Sequence, residues 1–344
     1  MRGFNSVASL LLRQEMKKEM AMKSYFGAGI VAGMMLLAFS AHAQFARQEL
    51  LAFQSITLSD DDLLQAKNDG KAVTLAARLL LPGAAADAKY PAVILIHGSG
   101  GVGGAGASVA QCERELPTAG IAVFTVDSFT GRGIVSTVAD QSQLGRYNAI
   151  VDAYRALEVL AKHRNIDATK IAVMGFSRGA QSSTYANLER FRKSYGSPEL
   201  QFAAHINLYA NCGWSLKDDD QVMKPMLFLH GSADDWVLPT SCREYAARLS
   251  KLGKNVRHVE YPNAQHAYDA PGLKTQLKIA AAQKWNDCKV GEENGVLTNK
   301  DTGKPFTFGD ACVQKGVTVA YDEDATRKSF EEVKNFLKEA YALK

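Results

Sequence analysis

A serine set between two glycines, Gly175-Phe176-Ser177-Arg178-Gly179, is the group in this 344-residue chain best suited to nucleophilic chemistry. A serine hydroxyl attacks a carbonyl carbon only when a base removes its proton and the side chain stands clear of the backbone. A sharp strand-to-helix turn meets the second requirement, and flanking glycines permit it because they carry no Cβ. The surrounding sequence supplies that context: Lys170–Met174 reads as the end of a buried strand and Ala180–Arg190 as a helix.

The nucleophile needs a histidine and an acid, and on a G-x-S-x-G turn these follow the serine in the order acid, histidine, each on a loop after a strand. Of the seven histidines, His42 lies in the N-terminal leader, His205 and His258 fall within predicted strands, and His163 ends a helix. His97 and His230 each precede a glycine at a strand end, where turn geometry accounts for them. His266 remains, in the loop Tyr261–Asp269 after the last predicted strand of the alternating series. The segment Leu229–Pro239 offers Asp234 and Asp235 just past a buried strand; Asp234, three residues after Gly231, is the preferred candidate and Asp235 the alternative. A carboxylate there accepts the Nδ1 proton of His266, sets its tautomer and stabilises the imidazolium formed when Nε2 takes the Ser177 proton.

Negative charge developing on the attacked carbonyl needs N–H donors, and losing one costs roughly 3 kcal/mol of transition-state stabilisation. The glycine-rich segment His97-Gly98-Ser99-Gly100-Gly101 follows a predicted central strand, so the Ser99 N–H is the candidate partner of the Arg178 N–H in an oxyanion hole. A phosphate cradle is disfavoured, because the segment lacks the G-x-x-x-x-G-K-[ST] form. Gly100, Arg132 and Trp236 are candidate substrate contacts. The planar donor forks of Arg132 and Arg178 suit a substrate carboxylate, with solvent exposure or an acid partner as the plainer fate of Arg178.

The elements that must position these residues alternate along the chain. Strands are expected at Val73–Leu81, Pro91–His97, Ile121–Val126, Ile171–Met174, Phe202–Tyr209, Met226–His230 and Val256–Tyr261. Helices are expected at Cys112–Ala119, Gln143–His163, Ala180–Arg190, Ser241–Leu252 and Thr326–Leu343. Near-continuous apolar strands separated by helical patterns predict an α/β fold with a mainly parallel, doubly wound sheet and helices on both faces. Residues 44–344 show no repeat and no linker, and read as one domain. Trp285–Val319 breaks the alternation with a polar, Gly-rich stretch; it reads as an insertion at about 285–319 that either covers an active site or decorates the surface.

Residues 1–43 differ in composition from the rest. Lys17, Lys18 and Lys23 precede an apolar run from Tyr25 to about Ser40, closed by Ala41-His42-Ala43, the pattern of a secretory signal peptide with an A-x-A cleavage site. A membrane anchor is the rival reading, but the run is shorter than the roughly 20 residues a span needs. Met20 and Met22 offer more compact starts. Cleavage removes Arg2, Arg13, Lys17, Lys18 and Lys23 against Glu15 and Glu19, leaving a nearly neutral chain with no signature of a nucleic-acid partner. The expected location is periplasmic or extracellular, with no stable membrane association once the leader is gone.

All five cysteines lie beyond the leader, where an oxidising compartment sustains disulfides. Cys288 and Cys312 bracket the polar insertion and are expected to bridge; Cys212 and Cys242 follow two predicted strands at one end and form the second candidate pair; Cys112 is left as a buried thiol. No C-x-x-C or H-E-x-x-H motif occurs, so no metal site is expected.

Taken together, His97-Gly-Ser-Gly-Gly101, Asp127-Ser-Phe-Thr-Gly-Arg-Gly133, Gly175-Phe-Ser-Arg-Gly179, His230-Gly-Ser-Ala-Asp-Asp-Trp236 with Cys242, and Tyr261–Asp269 resemble the dienelactone hydrolase family of α/β hydrolases. The resemblance covers most of the chain beyond the leader. It implies the α/β-hydrolase fold, hydrolysis of a small-molecule carboxylic ester or lactone, no metal or organic cofactor, and catalytic roles for Ser177, Asp234 and His266. The enzymes that give the family its name carry a cysteine nucleophile. This chain departs from them with Ser177, and in this it resembles exported relatives with esterase or broader acyl-hydrolase activity. Two other functions use the same residues differently: a peptidase or amidase on this fold, and a relative that binds a ligand without turnover.

Overall fold

A computed structural model of the protein describes residues 47–343, apart from 84, 86 and 105. The expected signal peptide lies outside the described residues. In chain order the elements begin with β1 (Arg47–Thr57), α1 (Asp60–Leu64), β2 (Lys71–Leu81) and β3 (Tyr90–Ile96). Then come a short α2 (Gly101–Gly104), α3 (Gly106–Thr118), β4 (Ala122–Asp127), α4 (Asn148–Ala161) and β5 (Ile166–Phe176). The second half holds α5 (Arg178–Tyr185), α6 (Glu189–Tyr195), β6 (His205–Leu208), β7 (Met226–Gly231), α7 (Pro239–Lys251) and β8 (Val256–Tyr261). It closes with β9 (Leu277–Lys284), β10 (Val290–Glu293), β11 (Val296–Asn299), β12 (Lys304–Pro305), β13 (Gln314–Val319) and α8 (Glu323–Ala340).

The first eight strands form one sheet in the order β1-β2-β4-β3-β5-β6-β7-β8. From β4 through β8 neighbouring strands run parallel, while β1 and β2 join antiparallel. The expected mainly parallel α/β-hydrolase sheet is therefore present. Its central strands are apolar on both sides because both sides are covered. In β3, Ala92, Ile94 and Ile96 face a core with Ile150, Tyr154 and Leu157 of α4, whereas Val93 and Leu95 face a second core with Leu116 of α3 and Phe330, Val333 and Leu337 of α8. Each fully buried aliphatic side chain of this kind contributes about 1.5–3 kcal/mol.

Four expectations need correction. The sheet begins one strand earlier, at β1, an edge strand whose alternating half-exposed residues lack the continuous apolar run of a central strand. The predicted helix Ala180–Arg190 is two helices, α5 and α6, because Asn187 turns its side chain to Met223 N, Lys224 N and Lys224 O and ties the chain there to the approach of β7. The strand expected over Phe202–Tyr209 is shorter, His205–Leu208. The insertion is not a structureless stretch beginning at 285: β9 starts it at Leu277 and pairs with β13, and β10, β11 and β12 form a second small antiparallel sheet. Disulfides join Cys288 to Cys312 and Cys212 to Cys242, and Cys112 is a buried free thiol, the arrangement expected from their places in the chain.

Because β3, β5, β7 and β8 are parallel, their C-terminal ends lie on one edge of the sheet. The segments after them, which hold Ser99, Ser177, Asp234 and His266, converge there, the usual place for a ligand crevice in an open α/β sheet.

Candidate active site

Ser177 sits on the turn between β5 and α5 with φ 53° and ψ −112°, a conformation that costs a non-glycine residue energy and is held by its surroundings. Its N–H donates to Leu208 O at 3.0 Å. The two glycines of the turn are needed for close approach. A Cβ on Gly175 would stand 2.2 Å from the Gly179 carbonyl, and one on Gly179 would stand 2.2 Å from Ile96 O at the end of β3. The turn is thus wedged between its own helix and the neighbouring strand, which presents the Ser177 side chain at the sheet edge.

From that hydroxyl a continuous chain of hydrogen bonds leads inward. His266 Nε2 lies 3.1 Å from Ser177 Oγ, and His266 Nδ1 lies 2.7 Å from Asp234 Oδ2. The imidazole is buried between the Tyr209 ring at 4.6 Å and the Trp236 ring at 4.7 Å, centroid to centroid. Asp234 Oδ1 accepts the Trp236 and Val237 N–H groups at 2.9 and 2.8 Å, so the acid loop folds around its own carboxylate. Burial alone would raise the Asp234 carboxyl, but the His266 charge and hydrogen bonds from His230 and His266 outweigh it and hold the group well below the ordinary carboxylate range.

The alternative acid has other partners. Asp235 accepts from Thr318 N at 2.7 Å and Thr318 Oγ1 at 2.8 Å, which fastens β13 to the acid loop. The rest of the insertion holds on at neighbouring points. Trp236 Nε1 donates to Gln283 O, Gln283 N donates to Val138 O, Gln141 N donates to Gln283 Oε1, and His266 forms a parallel bridge with Val319. The β9–β13 ribbon therefore clamps the loops that carry Asp234, His266 and Gln141, so the insertion does more than decorate the surface.

Arg178 directly follows the nucleophile and the Ser99 loop lies against it, and both residues turn their side chains into the protein. Gly98 packs on Ser177: a Cβ there would lie 3.3 Å from Ser177 Cβ. Among the described residues no hydrogen bond takes the N–H of Ser99 or Arg178, and the latter is the first residue of α5, where a helix leaves its N–H groups free. The Ser99 side chain is turned into the protein against Gln141. The Arg178 guanidinium is buried too, donating to Gln141 Oε1, Leu144 O and Gly145 O, with the buried Asp60 as its nearby opposite charge, so solvent exposure does not explain it.

The carboxylate-binding expectation for the arginines is corrected by this arrangement. The Arg132 side chain is 4% exposed, paired to Asp152 through both of its terminal nitrogens at 2.8 Å, and bonded to Thr57 Oγ1, Ser128 O and Ile56 O. Its donors are used up in holding β1 to α4. Gly100 gives its carbonyl to Gly104 N. Trp236 is largely buried against His266, so it is a wall for the imidazole before it is a surface for substrate.

Two histidines dismissed as turn residues belong to the site's support. His97 Nδ1 donates to Gly98 O at 2.8 Å while its Nε2 accepts from Ser128 N at 3.1 Å, which fixes a neutral tautomer and ties the Ser99 loop to the end of β4. Burial lowers its pKa, in keeping with that neutral form. His230 Nε2 lies 3.2 Å from Asp234 Oδ2 and 2.9 Å from Val237 O. Their shared signal in the sequence is a His-Gly pair closing an apolar strand just before a loop with site residues. Gln141 had no such signal: its carbonyl gathers Arg146 and Arg178, each at 2.9 Å, from separate parts of the chain.

Similarity to known proteins agrees with this architecture. The profile of the Dienelactone hydrolase family matches residues 75–290, more than half of the chain. Among solved structures, a dienelactone hydrolase-like protein from Klebsiella pneumoniae subsp. pneumoniae superposes with a TM-score of 0.53 at 16% identity, covering 84% of this chain and 98% of that one. A dienelactone hydrolase-like promiscuous phosphotriesterase from metagenomic libraries superposes with a TM-score of 0.52 at 14% identity, covering 86% and 99%. At these identities the likeness is one of fold. No curated protein sequence matches the chain.

Proposed function

The chain belongs to the dienelactone hydrolase family of ester-cleaving α/β hydrolases, and on that premise we propose that it works as a serine hydrolase through an acyl-enzyme. Ser177 Oγ attacks the carbonyl carbon of a carboxylic ester or lactone as His266 Nε2 takes its proton. The resulting oxyanion is held by the N–H groups of Ser99 and Arg178. Collapse of the tetrahedral intermediate breaks the C–O bond, and His266 returns the proton to the leaving alkoxide. Water, deprotonated by the same nitrogen, then attacks the acyl-enzyme and restores Ser177. Asp234 keeps His266 protonated on Nδ1 and stabilises the imidazolium in both half-reactions.

The observation that carries this reading is the unbroken Ser177–His266–Asp234 hydrogen-bond chain, 3.1 and 2.7 Å long at its two links. A fluorophosphonate probe is expected to label the folded protein at Ser177 and nowhere in Ser177→Ala; a wild-type protein left unlabelled overturns the proposal. Paired ester and amide substrates with one acyl group distinguish an esterase from an amidase, and faster ester turnover is expected. We also place the mature protein outside the cytoplasm. The charged n-region, the short apolar run and Ala41-His42-Ala43 support this, and so do two disulfides of a kind that an oxidising compartment maintains.

A further inference from the structure

The carboxylate of Asp234 is held by two imidazoles. His266 reaches Oδ2 from the histidine loop at 2.7 Å, and His230 Nε2 reaches the same oxygen at 3.2 Å from β7, next to the strand's last residue. His230 is 1% exposed. Its Nε2 also lies 2.9 Å from Val237 O, and because a carbonyl oxygen only accepts, that nitrogen carries the proton. The hydrogen bond is directed to Val237 O, and Asp234 Oδ2 lies 3.2 Å from the same nitrogen, near the positive end of that N–H.

Four groups surround the carboxylate. Oδ1 takes the backbone N–H groups of Trp236 and Val237, and Oδ2 takes His266 Nδ1, with His230 Nε2 in contact at 3.2 Å. With three hydrogen bonds and the His230 contact spread over both oxygens, the group cannot turn about its Cβ–Cγ bond without losing partners. The two hydrogen bonds of Val237 and the His230–Asp234 contact also form a closed ring. Asp234 accepts from Val237 N, Val237 O accepts from His230, and His230 reaches back to Asp234. A loop residue is thereby referred to β7, a strand paired on both sides, by β6 and β8.

We propose that His230 is a positioning residue for the triad: its Nε2–H holds the Asp234 carboxylate in the plane and at the distance that His266 needs, and tempers how strongly Oδ2 attracts the His266 Nδ1 proton. The proposal rests on the serine-hydrolase reading for its kinetic consequences but not for its hydrogen bonds. Other ionisable groups near the pair are Asp269, Tyr268 and Tyr209 around His266, and His258 and Glu260 of β8, with Arg243 of α7 bonded to Glu260. None of these is altered by the substitutions below.

His230→Phe keeps the ring shape and removes the donor, while His230→Gln places an amide N–H close to the original Nε2. With active sites counted by fluorophosphonate titration, His230→Phe is expected to lower kcat roughly tenfold at nearly constant KM through misplacement of the base. Without the His230 donor Oδ2 binds the imidazolium more tightly, so the acidic limb of kcat/KM moves to higher pH by about half a unit. His230→Gln restores both. An unmoved acidic limb in His230→Phe, or a Gln variant as impaired as the Phe variant, overturns the proposal. The resting wild-type protein supplies a test that needs neither variant nor substrate. In a long-range 1H–15N spectrum His230 must carry its proton on Nε2; a ring protonated on Nδ1 alone overturns the proposal whether or not the protein cleaves esters.

Discussion

Gly231 meets Ala264 backbone to backbone, and this contact joins the acid loop to the histidine loop: a Cβ at Gly231 would stand 2.3 Å from Ala264 O and 3.0 Å from Gln265 O. Ala233 N also donates to Ala264 O. The distance between Asp234 and His266 is therefore set by the absence of one carbon atom. Gly231→Ala is expected to cost about 1–3 kcal/mol of stability by overpacking. It should also lower kcat on the order of a hundredfold by pushing the histidine loop outward. Thermal melts and initial rates on one preparation check both, and a variant with full activity would show that the loops do not set each other's position.

The two adjacent aspartates should separate cleanly by substitution. Asp234→Asn leaves His266 with the wrong tautomer and is expected to lower kcat/KM by about 10⁴ while the fold persists. Asp235→Ala removes both bonds to Thr318, costs about 1–3 kcal/mol of stability and changes kcat far less. The reverse ranking in a steady-state assay would make Asp235 the acid.

Arg132 should matter for stability without choosing substrates. Arg132→Met leaves Asp152 buried without its partner, which costs about 3–5 kcal/mol. For the folded fraction, the ratio of kcat/KM between a neutral ester and its carboxylate-bearing analogue should stay at the wild-type value. A loss confined to the charged ester would mean that Arg132 binds substrate after all.

Acid sensitivity has an identifiable source in β6. Burial pushes the His205 imidazole down to about 3, and its Nδ1 donates to Ser183 O at 2.7 Å. Between roughly pH 6.5 and 3 the unfolded chain binds a proton there that the folded protein refuses, so stability falls as pH falls, by up to about 1.4 kcal/mol per unit. Asp234 acts lower on the scale. Its carboxyl is depressed by folding, so its contribution is complete above about pH 4 and is lost as pH drops through the folded value. His205→Asn keeps the donor to Ser183 and cannot titrate. Its denaturant midpoints should vary less between pH 6.5 and 4 than those of the wild type, and an unchanged slope would assign the acid sensitivity elsewhere.

Most of the sheet was legible because its central strands are apolar on both sides, a pattern that hydrophobic periodicity reports directly. β1 was not, since at the sheet edge half of its residues face water and its alternation resembles that of many exposed segments. β9 escaped for a related reason: six of its eight residues are exposed or partly exposed, and its partner β13 lies beyond the Cys288–Cys312 bridge.

For the site, chain order and residue type point to Ser177 and His266, which the fold brings within 3.1 Å of each other, because a nucleophile elbow and a loop histidine after the last parallel strand are local features of the sequence. The same local reasoning brought Asp234 and Asp235 to one loop and could rank them only by spacing. Tertiary structure separated them, turning one carboxylate to His266 and the other to Thr318. It also withdrew Arg132 into an ion pair, buried the Arg178 guanidinium and gave His97 and His230 partners in the loops. Those outcomes depend on the direction in which a side chain leaves the backbone and on what stands within about 3 Å of its end. That distance is spanned by residues far apart in the chain, and only the folded arrangement of strands brings them within it.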